Sequence, residues 1–185
     1  MKKRPNIKLF KLLMNLLLVL LIGGIALQLL PKTSLASQQQ ATVIKVVDGD
    51  TVDVKMSGCR LPLPGNSEVC RIQLSCIDTP EASETPFFEQ SKARLQALLP
   101  AGKTITVRDT GTNAKERLVG EIFAEGKSVN IQLLREGQAI LFCKYLTNCS
   151  GSLNSYLSAQ KAARQEGLGV WNRQQPWAKA QPCGG

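Results

Sequence analysis

Ala41-Thr-Val-Ile-Lys-Val-Val47, Asp48-Gly-Asp50 and Thr51-Val-Asp-Val-Lys-Met56 are the residues on which the fold turns. The first run is dense in β-branched side chains, which suit a pleated surface. The last alternates apolar and polar residues, the two-residue period of a half-buried strand. Asp48-Gly49 between them is a turn signal, so the pieces read as a β-hairpin with two carboxylates at its tip.

Downstream, Leu61-Pro-Leu-Pro-Gly-Asn-Ser67 reads as a loop. Val69 to Ile77 reads as a strand, broken by Asp78-Thr-Pro-Glu81. Glu89 to Leu99 has a helical pattern stopped by Pro100 and Gly102. Lys103 to Arg108 is a strand, Thr110 to Asn113 a loop, and Arg117 to Phe123 a strand closed by the turn Glu125-Gly126. Asn130 to Arg135 is a short helix capped by Gly137, followed by the short apolar piece Ala139 to Phe142. Leu153 to Glu166 is a longer helix ended by Gly167. This order predicts an α+β fold with a small β-rich core and helices to one side. Five short strands joined by glycine turns suit a small barrel.

The chain has 185 residues, six Cys and no His. Without His there is no Ser-His-Asp triad, no Cys-His dyad, no His-ligated zinc and no imidazole base. Six of the 23 Lys and Arg residues, and no acid, lie in residues 1–36, leaving 17 basic against 14 acidic residues in 37–185. The formal +9 is thus mostly an N-terminal property. That segment is basic and then apolar from Leu12 to Leu30, with small Ser34 and Ala36 spaced as at a signal-peptidase site. It is read as targeting, either a cleaved signal peptide or an N-terminal membrane anchor. Both put the remainder outside the cytoplasm. The expected organisation is residues 1–36 for targeting, 37–40 a polar linker, 41–172 one domain and 173–185 a polar tail.

Six cysteines fit an oxidising compartment. Local bridges are expected for Cys59 with Cys70 and Cys143 with Cys149, each across a loop-like stretch. The partners of Cys76, read as lying in an apolar strand, and Cys183 stay open. Gly102-Lys-Thr104 and Gly126-Lys-Ser128 lack the earlier glycine of a phosphate-binding loop, since Ala97 and Glu121 stand there. Asp48-x-Asp50-x-x-Asp53 fails as an EF-hand, with Val52 and Cys59 at liganding positions. What survives is a set of carboxylates at strand ends, Asp48, Asp50, Asp78 and Glu81. With backbone carbonyls they form hard-oxygen chemistry suited to calcium. Arg117, opening a later strand, supplies a bidentate phosphate donor.

Val46-Val-Asp-Gly-Asp-Thr-Val52, Ile77-Asp-Thr-Pro-Glu81, Glu116-Arg-Leu118 and Ile122-Phe-Ala-Glu-Gly-Lys-Ser-Val-Asn130 occur in order at spacings that resemble the staphylococcal nuclease (thermonuclease) family. Gln160, Ala163, Gly167 and Val170-Trp171 match its closing helix. The likeness spans about residues 41–172. It implies a five-stranded OB-type β-barrel with three helices and Ca²⁺-dependent hydrolysis of DNA and RNA; the chain is expected to be a monomer. It implies Asp50 and Asp78 as direct calcium ligands with the Thr79 carbonyl, and Asp48 through water. It gives Glu81 the attacking water and Arg117 the phosphate charge. The chain departs from the family at Gln73, where a second arginine is the rule. Arg71, on the same strand face, either reaches in instead or is a solvated strand residue. Tyr145 matches one base-stacking tyrosine while Cys143 occupies the other position. Lys115 stands near the phosphate loop, and Ala114 replaces its lysine neighbour. A nuclease and a catalytically weakened nucleic-acid-binding or protein-interaction module on the same barrel are both open.

Overall fold

The structure, a computed structural model, describes residues 38–183. The targeting segment and its apolar run 12–30 lie outside the described residues. Among the described residues no helix is long and apolar enough to cross a membrane.

The hairpin forms as the alternation requires. β1 (Gln38–Val46) pairs antiparallel with β2 (Thr51–Lys55), with Val46 opposite Val52 at the turn. A bulge between Val43 and Lys45 turns Ile44 to solvent. β2 continues antiparallel into β3 (Val69–Leu74), with Thr51 opposite Gln73 and Asp53 opposite Arg71. β1 also pairs with β5 (Thr104–Ala114), which pairs with β6 (Arg117–Ala124). β6 then runs parallel to β3, Ile72 opposite Leu118 and Leu74 opposite Gly120, which closes the five-stranded barrel. β4 (Ile77–Asp78) and β8 (Ile140–Leu141) form a separate two-stranded ladder, and β7 (Lys127–Ser128) extends β6. Among the described residues three α-helices complete the fold: α1 (Phe87–Leu98), α2 (Val129–Arg135) and α3 (Leu153–Glu166).

Inward side chains of the barrel, including Val52, Val54, Ile72, Leu74, Val107 and Ile122, merge with Leu95, Leu133, Leu134 and Tyr156 of the helices in one buried cluster. Asn130 of α2 locks that helix to the barrel. Its Oδ1 accepts the Ile122 N–H at 3.1 Å and its amide donates to the Ser75 carbonyl at 3.0 Å. Gly167 ends α3 in the left-handed conformation that favours glycine.

Several expectations are corrected. Gln38–Gln40 are no linker: they begin β1 and pair with Thr106–Arg108. Thr110–Asn113 lies within β5, where the register shifts between Asp109 and Asn113. Cys76 is not in a strand but in the tight turn between β3 and β4, with φ +63°. The bridges are Cys59–Cys70, as expected, then Cys76–Cys149 and Cys143–Cys183. Cys143 and Cys149 share one 3₁₀ segment, Cys143–Ser152. That segment is kinked, with non-helical backbone at Tyr145 and Cys149, and it sends Cys149 to Cys76 and Cys143 to Cys183. The tail is polar as read, yet it packs on the domain through buried Trp177 and the Cys183 bridge.

The Cys76–Cys149 bridge closes 73 residues and the Cys59–Cys70 bridge 11. Loop-closure entropy ranks them at about 4 and about 3 kcal/mol. Urea denaturation should show the Cys76→Ala/Cys149→Ala pair to be the costlier removal. Non-reducing peptide mapping should recover these linkages, and a fragment joining Cys143 to Cys149 would contradict them.

Candidate active site

The mouth of the barrel at the β1–β2 turn opens into two adjoining cavities of about 700 and 660 Å³. Gln73, Asp78, Glu81, Lys115 and Arg117 line both. Asp48, Asp50 and Thr79 face the first, and Tyr145 faces the second. All ten expected site residues thus line this cleft, Arg71 among them on the wall of the first cavity.

Each residue is there for a local reason. The turn holds its shape because the Val47 N–H donates to the Thr51 carbonyl at 2.8 Å and the Asp50 N–H to Asp48 Oδ1 at 3.1 Å. Leu74 N–H donates to the Asp50 carbonyl at 2.8 Å, tying the turn to the end of β3. Gly49 lets the tip press against the strand end that carries Thr79. A Cβ on Gly49 would stand 2.8 Å from Thr79 Oγ1 and 2.9 Å from Ser91 Cβ of α1. Asp78 is fixed by the pairing of β4 with Ile140 of β8. Lys115 and Glu116 form the β5–β6 turn, both with positive φ, and deliver Arg117 to the start of β6.

Arg117 is oriented by two acceptors, its Nε donating to the Ala114 carbonyl and its Nη1 to Thr51 Oγ1, both at 3.2 Å. Thr51 in turn donates to Asp50 Oδ1 at 2.9 Å. Thr51 therefore couples the arginine to the carboxylate across the barrel seam, a role with no signal in a sequence where it is one more strand threonine. Arg71 lines the first cavity but is paired within its wall. Its Nε and Nη2 are given to the two oxygens of buried Asp53, at 2.7 and 2.9 Å, because β2–β3 register sets them opposite each other. Gln73 stands half-buried between the two cavities.

The charge distribution is lopsided. All 14 acidic residues fall in the described region, and eight are in ion pairs. The other six are Asp48, Asp50, Asp78, Glu81, Glu89 and Glu116, and all but Glu89 line the first cavity. Burial, then its neighbour Asp48, pushes the Asp50 carboxyl up to about 8. Burial also raises Asp78, with Glu81 adding to it and Lys179 opposing. Carboxylates held together in a low-dielectric cleft repel, and a bound cation reverses that balance.

Residues 71–173 match the family described as staphylococcal nuclease homologue. The chain belongs to the staphylococcal nuclease family. It is 30% identical over 135 residues to an uncharacterized endonuclease of Escherichia coli O157:H7, covering 72% of this chain and 78% of that one. It is 28% identical over 157 residues to the endonuclease YhcR of Bacillus subtilis, covering 77% of this chain and 12% of that protein. It is 30% identical over 139 residues to the prophage-derived endonuclease YokF of the same species, covering 71% and 44%. The chain therefore spans only a fraction of the length of several relatives.

Two further local features shape the cleft. Phe142 stands beside Tyr145, with ring centroids 5.0 Å apart and edge to face, and both rings are exposed on the second cavity. The sequence reading missed Phe142, although the apolar run Ala139 to Phe142 ends on it. Leu61–Pro64 forms an apolar wall of the first cavity. The Cys59–Cys70 bridge and Arg60 hold that wall, with Arg60 forked onto Asp109 at 2.7 and 2.9 Å and donating to Asn113.

Gly49→Ala tests the contact of the tip with Thr79. The added methyl overpacks a site with no room, at a cost of about 1–3 kcal/mol. Thermal unfolding should show that loss. A variant with unchanged stability would show that the close approach is dispensable.

Proposed function

We propose that this chain is an exported, Ca²⁺-dependent nuclease that hydrolyses phosphodiester bonds of DNA and RNA. The observation that carries the reading is the gathering of unpaired carboxylates opposite Arg117 in one cleft. The donor chemistry fits calcium. Asp50, Asp78 and the Thr79 carbonyl offer only oxygen, the ligand of hard divalent cations. No imidazole competes, and all six cysteines are in disulfides. Among the described residues no three Asp, Glu, His or Cys side chains converge into a complete metal cage. The proposed site therefore relies on two carboxylates and a carbonyl, with Asp48 acting through water, and leaves positions for water and a substrate phosphate. Bound there, Ca²⁺ would supply positive charge against the scissile phosphate.

The chain's own groups do the rest. Glu81, exposed at the cleft, takes the proton of the attacking water. Arg117, oriented by Thr51 and Ala114, donates to the phosphate oxygens as negative charge builds on them. Gln73 adds a hydrogen bond without a charge. Lys115 attracts the nucleic-acid backbone, and Tyr145 with Phe142 offers a stacking surface for a base. The names of the relatives, endonucleases of two bacterial species, support the activity. Three disulfides support a location outside the cytoplasm. The basic and apolar N-terminus then serves as export signal or membrane anchor, and the catalytic domain works as a monomer.

The test incubates the purified, oxidised chain with single-stranded DNA, double-stranded DNA and RNA, with Ca²⁺ or with chelator. Cleavage in calcium and none in chelator is expected. Glu81→Ala should lower the rate by about 10²–10⁴-fold, the usual worth of a general base. Cleavage indifferent to chelator would remove the metal from the reading. Binding of single strands with no cleavage under any condition would make the barrel a binding module.

A further inference from the structure

The residues after Arg173 lie beyond the family match, and their sequence is polar and Pro-rich. They are nevertheless fastened at two points. Trp177 is buried, with its N–H donating to the Val170 carbonyl at 3.0 Å. Cys183 is joined to Cys143. Between these anchors Lys179 sets its ammonium 3.0 Å from Glu84 Oε1. The other Glu84 oxygen, Oε2, accepts the Glu81 N–H at 2.8 Å, and the Glu84 N–H donates back to the Glu81 carbonyl at 2.7 Å. Glu81 thus has both backbone polar groups tied to Glu84, and Glu84 is tied to the tail.

We propose that residues 174–183 are a strap that positions Glu81, with Glu84 and Lys179 as the positioning residues. The proposal rests on the reading of Glu81 as the group that activates water. Glu81 belongs to no helix or strand and its side chain is exposed, so packing does not fix it. Its place is set by the short turn to Glu84, and that turn is closed by one carboxylate. Lys179 satisfies that carboxylate from the far side and opposes its swing toward solvent or toward a cation in the cleft. The two anchors make the arrangement intramolecular, so the ammonium need not be recruited from a free tail. Reacting groups tolerate little displacement, and an error of about 1 Å can cost about 10²-fold in rate. With Lys179 more than half exposed, the ion pair itself adds little to stability. The strap is therefore a catalytic device more than a stabilising one.

Three variants of the full oxidised chain test it: Lys179→Met, Lys179→Arg, and the pair Cys143→Ser/Cys183→Ser. Lys179→Met and the cysteine pair should each lower kcat about tenfold, a fraction of the full misplacement cost, with KM within about twofold. Lys179→Arg should restore kcat. The urea midpoint of Lys179→Met should stay at the parent value. Independently of turnover, amide hydrogen exchange at Glu81 should quicken in Lys179→Met. Parent kcat with parent exchange in Lys179→Met, or failure of Lys179→Arg to rescue, would overturn the strap. Glu81→Ala run alongside separates the two ideas. If it abolishes cleavage while Lys179→Met is indistinguishable from the parent, the strap alone falls. If Glu81→Ala cleaves normally, the role of Glu81 falls and the positioning proposal falls with it.

Discussion

The parallel pairing of β3 with β6 is the constraint from which the rest of the site follows. Along the sheet the two strands are separated by β2, β1 and β5. Only closure sets Leu118 beside Ile72 and so brings the Arg117 side chain within hydrogen-bond reach of Thr51. The hydrogen bond from Arg117 to Thr51 crosses that seam and spans 66 residues of sequence. An open sheet of the same strands would leave the arginine and the carboxylates on opposite edges. The side chains that enforce closure, Ile72, Leu74, Leu118 and Ile122, are fully buried and apolar. Burial of such side chains is worth about 1.5–3 kcal/mol each, so the hydrophobic core holds together a cleft whose own charges repel.

That repulsion gives the cleft its character. Elsewhere the molecule neutralises its acids locally: Asp53 with Arg71 and Lys45, Glu121 with Arg108, Glu136 with Arg94. Asp53 is the instructive contrast, since it sits only three residues after Asp50 and is equally buried. It has a forked arginine, and Asp50 has a threonine hydroxyl and two acidic neighbours. Nothing in packing demands that difference. A fold selected only for stability would pair or bury both in the same way, because unpaired buried carboxylates are costly. Leaving one acid compensated and its neighbour not is sensible when the missing charge arrives with a ligand.

What the sequence made legible follows from the range of each interaction. The β1–β2 hairpin, α1 and α3 rest on local period, turn and capping signals, and they stand where those signals put them. The carboxylates at the hairpin tip and after β3 were visible because strand ends and Asp-Gly turns are local too. Their convergence was legible only through the ordered motifs taken together. Thr51, Glu84 and Lys179 were invisible for the opposite reason. Each is an ordinary residue in its own segment and acquires a partner only across the fold. Arg71 looked available because register was not known; one residue of register decides that it faces Asp53. The disulfides failed on the same point. Proximity in sequence favoured Cys143 with Cys149, whereas the kinked segment that carries both buries Cys149 against Cys76 and leaves Cys143 to Cys183.

The placement of the disulfides completes the picture. Each ties a loop, a 3₁₀ segment or the tail to the body of the domain, with Cys70, Cys76 and Cys149 buried in the core. Cys59–Cys70 braces the Leu61–Pro64 wall of the cleft. Cys76–Cys149 and Cys143–Cys183 both end on the 3₁₀ segment that carries Tyr145. Loops and short 3₁₀ turns are the parts of a fold that open most readily, yet the cleft is built from them. A cross-link there restrains geometry without requiring the burial that would close the cleft to substrate. Covalent bracing of the rim and an active-site cleft left open to solvent are therefore two sides of one solution, in which the barrel supplies stability and the disulfides supply the shape of its mouth.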